Sequence, residues 1–256
     1  MNKLDFKDKR TWKENCSFWA RSLTVLALLF SFATAARAEF YIQTNLVSNI
    51  SGMAQIYDPN LVNPWGIVHP TTGPWWVNDN GTGLSTLYNG QGAISPLVVT
   101  VPPPAGGTGS GTPTGIIFNG TKDFDVAPGL PGRFIFVTED GTISAWNSTV
   151  NPTNAVNKVD NSPAAVYKGA AMALNSGVLF IYVANFRGGS VDVFDTNFKQ
   201  VTLAAGAFTD KNIPAGYAPF NVMNISGRLL VTYAKQDAAK HDDVAGPGHG
   251  LSLIHI

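Results

Sequence analysis

Four times along the chain a run of β-branched and aromatic residues ends in a short polar turn, and no other feature restricts the fold as strongly. The runs occupy residues 75–79, 134–139, 180–185 and 229–235. After the first three, a Gly-centred turn leads into a segment with an apolar residue at every second position, at 83–89, 141–147 and 189–195. Such alternation marks a strand buried on one face, and glycine supplies the backbone freedom a hairpin needs. A further short apolar segment precedes each hairpin, at 64–68, 114–118, 168–172 and 220–223. Gly66, Gly115 and Gly169 share one place in it, taken by Asn221 in the fourth copy. Outer strands are predicted at 97–101, about 155–159 and 201–203.

The turn glycines Gly81, Gly141 and Gly189 lie 60 and 48 residues apart. A four-strand unit at such intervals predicts an all-β chain, a β-propeller of four-stranded antiparallel blades with four blades present. The shared glycine is expected where inner strands crowd around a central channel and leave no room for a side chain. Composition agrees: 26 Gly, 16 Pro, 11% aromatic and only 13% charged residues suit many short strands joined by tight turns. The Pro/Gly/Thr-rich stretch 102–113 reads as a surface loop on one rim rather than a domain boundary.

Both ends call for separate treatment. Residues 1–38 carry the parts of a secretory signal in order: a basic stretch from Lys3 to Arg21, an apolar run from Leu23 to Phe30, and Ala36-Arg37-Ala38 as an A-x-A cleavage site. The alternative is an uncleaved anchor, but the run is shorter than the roughly 20 residues a spanning helix needs. An exported protein, periplasmic or extracellular, with no transmembrane segment in its mature chain is therefore expected. Seven of the 17 basic and three of the 17 acidic residues fall in this leader, leaving a mature net charge near −4, which does not suit nucleic-acid binding. The one cysteine, Cys16, also lies there, so neither disulfide nor thiolate chemistry is expected of the mature chain.

Residues 40–47 read as a leading strand of the kind that completes the last blade of a propeller and closes the ring. At the other end the fourth hairpin stops at 246–250. The string Leu251-Ser252-Leu253-Ile254-His255-Ile256 matches a translation of the transposon-end adaptor used in sequencing libraries (CTG TCT CTT ATA CAC ATC). These six residues are expected to be an assembly artefact, with a genuine terminal strand as the alternative.

Several strings occur together and in order: Asn63-Pro64-Trp65-Gly66-Ile67, Asp79-Asn80-Gly81-Thr82-Gly83, Ser85-Thr86-Leu87-Tyr88-Asn89-Gly90, Tyr217-Ala218-Pro219-Phe220-Asn221 and Tyr233-Ala234-Lys235-Gln236-Asp237. In these the chain resembles a family of uncharacterised exported bacterial propellers, related in fold to NHL-repeat proteins and to gluconolactonase-like six-bladed propellers. The resemblance covers essentially all of residues 40–250. It implies about two further blades in the intact protein, and that family has no established reaction.

Propellers carry functional groups at one mouth of the central channel. The fold-level precedent is a calcium-dependent lactonase or phosphotriesterase, in which Glu, Asn and Asp side chains hold the cation. Just before the shared Gly or Asn this chain has Trp65, Thr114, Lys168 and Phe220, none of them a carboxylate, and only Asn63 and Asn221 nearby could ligate. No catalytic residue is assigned, the metal and cofactor stay open, and calcium is the one candidate the resemblance brings. A second aligned set, Asp79, Glu139, Asn185 and Lys235, sits where the second strands end. Solvated turn residues explain it, as Asp and Asn favour such turns; a polar ligand rim is the sharper alternative.

Three other features compete for attention. The loop 235–243 offers Asp237, His241, Asp242 and Asp243 as ligands, but at a spacing that matches no known coordination loop, so an exposed charged loop is expected. His69 before Pro70 fits a surface turn, and no Ser sits in a Gly-x-Ser-x-Gly elbow. Among Trp65, Trp75, Trp76 and Trp146, Trp65 at the inner-strand mouth is the candidate for stacking on a ligand, while the rest read as core. A binding scaffold for a small molecule or protein is the leading expectation, monomeric when complete. A metal-dependent lactonase-type hydrolase and a surface or matrix interaction module are the alternatives.

Overall fold

The computed structural model describes residues 41–255. The leader at 1–38, Cys16 and Phe40 lie outside the described residues. Contacts divide the chain into Met1–Gln43 and Thr44–Ile256, and the blades all belong to the second unit. In chain order its strands are β1 (Val47–Ser48), β2 (Ile56–Tyr57), β3 (Pro64–Val68), β4 (Trp75–Asp79), β5 (Leu84–Tyr88), β6 (Val99–Thr100), β7 (Pro113–Phe118), β8 (Asp125–Ala127), β9 (Leu130–Pro131) and β10 (Phe134–Thr138). They continue with β11 (Thr142–Trp146), β12 (Val156–Asp160), β13 (Tyr167–Asn175), β14 (Val178–Asn185), β15 (Ser190–Phe194), β16 (Gln200–Val201), β17 (Tyr217–Ile225), β18 (Arg228–Lys235) and β19 (Gly250–His255). No helix among the described residues is long and apolar enough to cross a membrane.

The strands assemble into the antiparallel blades of a β-propeller: β3-β4-β5-β6, β7-β10-β11-β12, β13-β14-β15-β16 and the three-stranded β17-β18-β19. In the second and third blades period-two alternation serves a different purpose from a sheet with one wet face, because both of their faces are covered by neighbours. On β10, Phe134 and Phe136 join Trp76, Leu87 and Trp146 in the core between the first and second blades, while Ile135 and Val137 join Ile181 and Val183 between the second and third. On β14, Tyr182 and Ala184 turn instead to Val222, Val231 and Tyr233 of the fourth. All five residues of β10 and of β11 are buried.

β3, β7, β13 and β17 lie side by side in that order around the channel. The spacing is set by missing side chains. A Cβ on Gly66 would stand 2.4 Å from the Thr114 carbonyl oxygen, and one on Gly115 2.9 Å from the Ala170 nitrogen. One on Gly169 would stand 2.7 Å from Asn221 Cα, so each inner strand approaches the next through a glycine. At the same place every inner strand holds one residue more than its partner: the register slips between Pro64 and Ile67, at Thr114 and Gly115, between Tyr167 and Ala170, and between Pro219 and Asn221. Such bulges bend a strand and re-aim its side chains.

The expectation for the leading segment is altered. The leading segment forms a strand only at Val47–Ser48, and it pairs in parallel with β2 rather than completing a blade. Local contacts hold it on the first blade: Leu46 and Val47 press on Gly92, and Tyr88 donates to the buried Asp58 at 2.7 Å. The predicted third outer strand begins one residue earlier and is shorter, as β16. At the other end β19 pairs with β18 in unbroken register from Ala234↔Gly250 to Leu229↔His255. An open strand edge accepts any extended segment within reach, so this pairing says nothing of where residues 251–256 came from.

Gly169→Ala places its methyl against Asn221 backbone and is expected to cost about 1–3 kcal/mol, as overpacking does. Gly90, with no atom within 4 Å of its Cβ position, supplies the neutral comparison as Gly90→Ala. Equal denaturation midpoints for the two variants would contradict the close-approach account.

Candidate functional site

The four bulges decide which side chains reach the mouth of the channel. Thr114 is turned inward, its hydroxyl donating to the Tyr167 carbonyl at 2.8 Å and so tying the second blade to the third. The other three bulge residues converge. The rings of Trp65 and Phe220 stand 5.7 Å apart across the mouth, and Phe186, fully buried after β14, meets Phe220 edge-on at 5.5 Å. Into this box projects the Lys168 ammonium, 4.9 Å from the Trp65 ring centre, 5.8 Å from Phe186 and 5.9 Å from Phe220. Aromatic faces attract a cation at such distances, the more so away from water.

Lys168 is 1% exposed, and a buried ammonium requires anionic partners. It has two: Glu139 Oε1 in a short ion pair, and Asp242 Oδ1 at 3.2 Å. The other Glu139 oxygen accepts from Asn80 Nδ2 at 2.8 Å, and Asn80 Oδ1 accepts from Asn63 Nδ2 at 3.1 Å. His241 Nδ1 stands 3.1 Å from Asp242 Oδ2. Burial would raise the Asp242 carboxyl, but the hydrogen bonds and charges of His241 and Lys168 outweigh it and hold the group below its ordinary range. Every blade thus contributes: Asn63 and Asn80 from the first, Glu139 from the turn after β10, Lys168 from β13, and Asp242 from the loop between β18 and β19.

Beside the ammonium lies a cavity of about 250 Å³ whose walls include Trp65, Thr114, Phe220, Asn221 and Thr232. Trp65 and Asn221 also line the wider channel of about 720 Å³ that runs along the inner strands past Ile67 and Met223. Glu139, His241 and Asp242 bring ligand atoms within 4.8 Å of one another, as a metal would need. The arrangement does not fit a resident cation as it stands, because the Lys168 ammonium bridges the two carboxylates and both Glu139 oxygens are engaged.

Of the residues singled out in the sequence, the structure brings Asn63, Trp65 and Glu139 into this network and sets Asn221 in the cavity wall. The set at the second-strand ends does not share one environment, and the expectation of solvated turns is corrected for three of its members. Asp79 is fully buried and accepts from Thr86 Oγ1 at 2.7 Å inside the first blade. Asn185, 7% exposed, closes its own turn by accepting from Gly188 N and donating to Asp192. Glu139 has a side chain only 9% exposed, since Lys168 draws it inward. Lys235 alone is exposed, and its backbone rather than its side chain ties the β18 end to His249. Trp75 also departs from the core reading: it is 41% exposed and leans on His69. Lys168, Asn80, Phe186 and Asp242 were not identified as a group from sequence; a lysine inside an apolar inner-strand segment was the available signal.

A second buried carboxyl stands apart. Asp79 Oδ1 has no hydrogen-bond partner, and its pKa is pushed up to about 7 by burial and by the nearby Asp58 carboxylate, against the lowering effect of the Thr86 hydrogen bond. Asp58 in turn holds the Tyr88 hydroxyl. Between the ordinary carboxyl range and about pH 7 the folded protein keeps a proton that the unfolded chain has lost, so stability falls as pH rises through that window and levels off above it.

Two outcomes follow for stability. Asp79→Asn should flatten the fall between about pH 4 and pH 7 and outlast wild type above it by a few kcal/mol, on the order set by the shift; urea unfolding across pH decides, and an unchanged profile would rule the assignment out. Lys168→Met leaves Glu139 buried and uncompensated and should cost about 3–5 kcal/mol, with much of it recovered on adding Glu139→Gln. No recovery in the double variant would mean that charge is not what Lys168 supplies.

No protein-family model matches the chain. It is 32% identical over 202 residues to the uncharacterized protein L690 of Acanthamoeba polyphaga mimivirus, covering 75% of this chain and 52% of that protein. With the uncharacterized protein R648 of the same virus the identity is 31% over 223 residues, covering 82% and 54%. The chain spans about half the length of these curated relatives, and both are viral, so they lend no support to a bacterial origin. Among solved structures it is similar to selenomethionine-substituted virginiamycin B lyase from Staphylococcus aureus, with a TM-score of 0.46 and 10% identity over 75% of this chain and 55% of that one. Exo-beta-1,3-galactanase from Phanerochaete chrysosporium gives a TM-score of 0.46 and 10% identity over 83% and 49%.

Proposed function

We propose that the chain is part of a propeller that binds a small polar molecule at the mouth built around Lys168, as a scaffold and without chemistry of its own. The observation that carries this reading is the buried ammonium held between Glu139, Asp242 and three aromatic rings beside an open cavity. One ammonium against two carboxylates leaves the site net negative when His241 is neutral. Asp242 keeps 63% of its side chain exposed and His241 39%, so acceptors remain available to an incoming group. Half-buried Trp65 and Phe220 offer flat apolar faces, and the exposed amides of Asn63 and Asn221 offer hydrogen bonds. Such walls suit a ring that bears hydroxyls and a positive charge, the chemistry of an amino sugar. The leader pattern at 1–38 supports an exported address for this activity.

The proximity of Glu139, His241 and Asp242 favours a second reading, a metal-dependent hydrolase, which requires the Lys168 ammonium to leave its place. Thermal unfolding in the presence of glucosamine, glucose or calcium chloride separates the two. Near-saturating glucosamine is expected to raise the melting temperature by about 5 °C, following the linkage of binding to stability. Glucose should do less, and Trp65→Ala should abolish the rise. A shift with calcium and none with either sugar would replace the scaffold with the hydrolase.

A further inference from the structure

A second cleft lies at the opposite ends of the strands from the mouth, between the first and second blades. It encloses about 520 Å³, within the range of small-molecule sites. Its floor is aromatic: Trp76 stacks on Phe134 with ring centres 3.8 Å apart, Trp146 tilts against Trp76 at 5.0 Å, and Phe118 meets Phe134 at 5.5 Å. Thr71, Thr72 and Ser95 add polar side chains to its lining.

Among the described residues, Arg133 is the one charged residue in the lining. Its backbone is fixed on both sides, the N–H donating to the Trp146 carbonyl at 2.7 Å and the carbonyl accepting from Asn119 N at 2.9 Å. Its guanidinium lies 5.5 Å from the centre of the Phe118 ring. Among the described residues no carboxylate pairs with that guanidinium and no hydrogen bond engages it. The indole N–H of Trp76 likewise has no acceptor, whereas that of Trp146 donates to the Pro152 carbonyl. A half-buried, ring-stacked guanidinium with all its donors free is prepared for a planar anion, because its fork matches a carboxylate in two parallel hydrogen bonds.

We infer that this cleft is a second binding site, for a small carboxylate that carries a flat apolar ring. The carboxylate meets the Arg133 fork, and the ring lies on the aromatic floor with Leu87 and Leu97 beside it. Among the described residues no acidic side chain lines the cleft, so its one formal charge is positive, opposite in sign to the net charge of the mouth around Lys168. The two sites therefore select opposite charges at opposite ends of the blades.

Phenylacetate and its neutral analogue phenylacetamide test this on the full chain, by calorimetry and by quenching of tryptophan fluorescence. Phenylacetate is expected to bind saturably in the millimolar range, and phenylacetamide about tenfold or more weakly, as loss of a charged hydrogen-bond partner requires. Arg133→Met keeps the stem over Phe118 and should weaken phenylacetate by a similar factor. Ser95→Phe, at a half-buried loop position, should block the cleft without touching the guanidinium. The proposal is overturned if phenylacetate gives no saturable response up to roughly 20 mM, if phenylacetamide binds as tightly as phenylacetate, or if Arg133→Met and Ser95→Phe bind phenylacetate as tightly as wild type does.

Discussion

The distance between neighbouring inner strands governs the rest of the molecule. At Gly66, Gly115 and Gly169 the next blade comes so close that a single methyl group would strike backbone atoms. A blade seated this tightly between two neighbours buries both faces, which is why β10 and β14 send alternate side chains into different cores. The same few residues bulge, and in the first and third blades the bulge aims the residue before the glycine at the mouth of the channel, whereas in the second it turns Thr114 inward. Packing and site thus arise from one local device: the glycine admits the neighbouring strand, and the extra residue delivers Trp65, Lys168 and, in the fourth copy, Phe220 to the mouth.

The blades, their order and the crowding at the glycines were legible in the sequence because each depends on local pattern: alternation, turn chemistry and a repeated small residue. The bulges were not, since an added residue shows only once two strands are paired. The composition of the mouth was half legible. Asn63, Trp65 and Asn221 follow from their place before or at the inner strands, but the meaning of Lys168 depends on Glu139, 29 residues away, and on Asp242, 74 residues away. Asp79, Glu139 and Asn185 occupy equivalent positions yet meet different fates, because what lies inward of each differs: a threonine hydroxyl, an ammonium and a turn amide. Repeat symmetry gives the backbone place of a residue and leaves its side-chain partner undetermined.

The buried charges of the first and third blades illustrate two solutions to one problem. Around the Lys168 ammonium, carboxylates and ring faces stand where water would otherwise be. Asp79, with Thr86 as its hydrogen-bond donor, is pushed toward its neutral form by burial first and by the nearby Asp58 second. The first arrangement draws all four blades together, and the second fastens the segment before the first blade to β5 through Asp58 and Tyr88.

The linkage from Asn63 through Asn80, Glu139 and Lys168 to Asp242 runs between segments whose connecting loops lie elsewhere. Its integrity does not depend on continuity of the polypeptide. A protease that severed the exposed stretch around 105–110 would leave both fragments joined by the Asn80 to Glu139 hydrogen bond, the Asn78 amide on the Thr114 carbonyl and the Trp76 and Phe134 rings. The central polar tie behaves as a clasp, keeping a nicked chain assembled until the blades themselves are pulled apart.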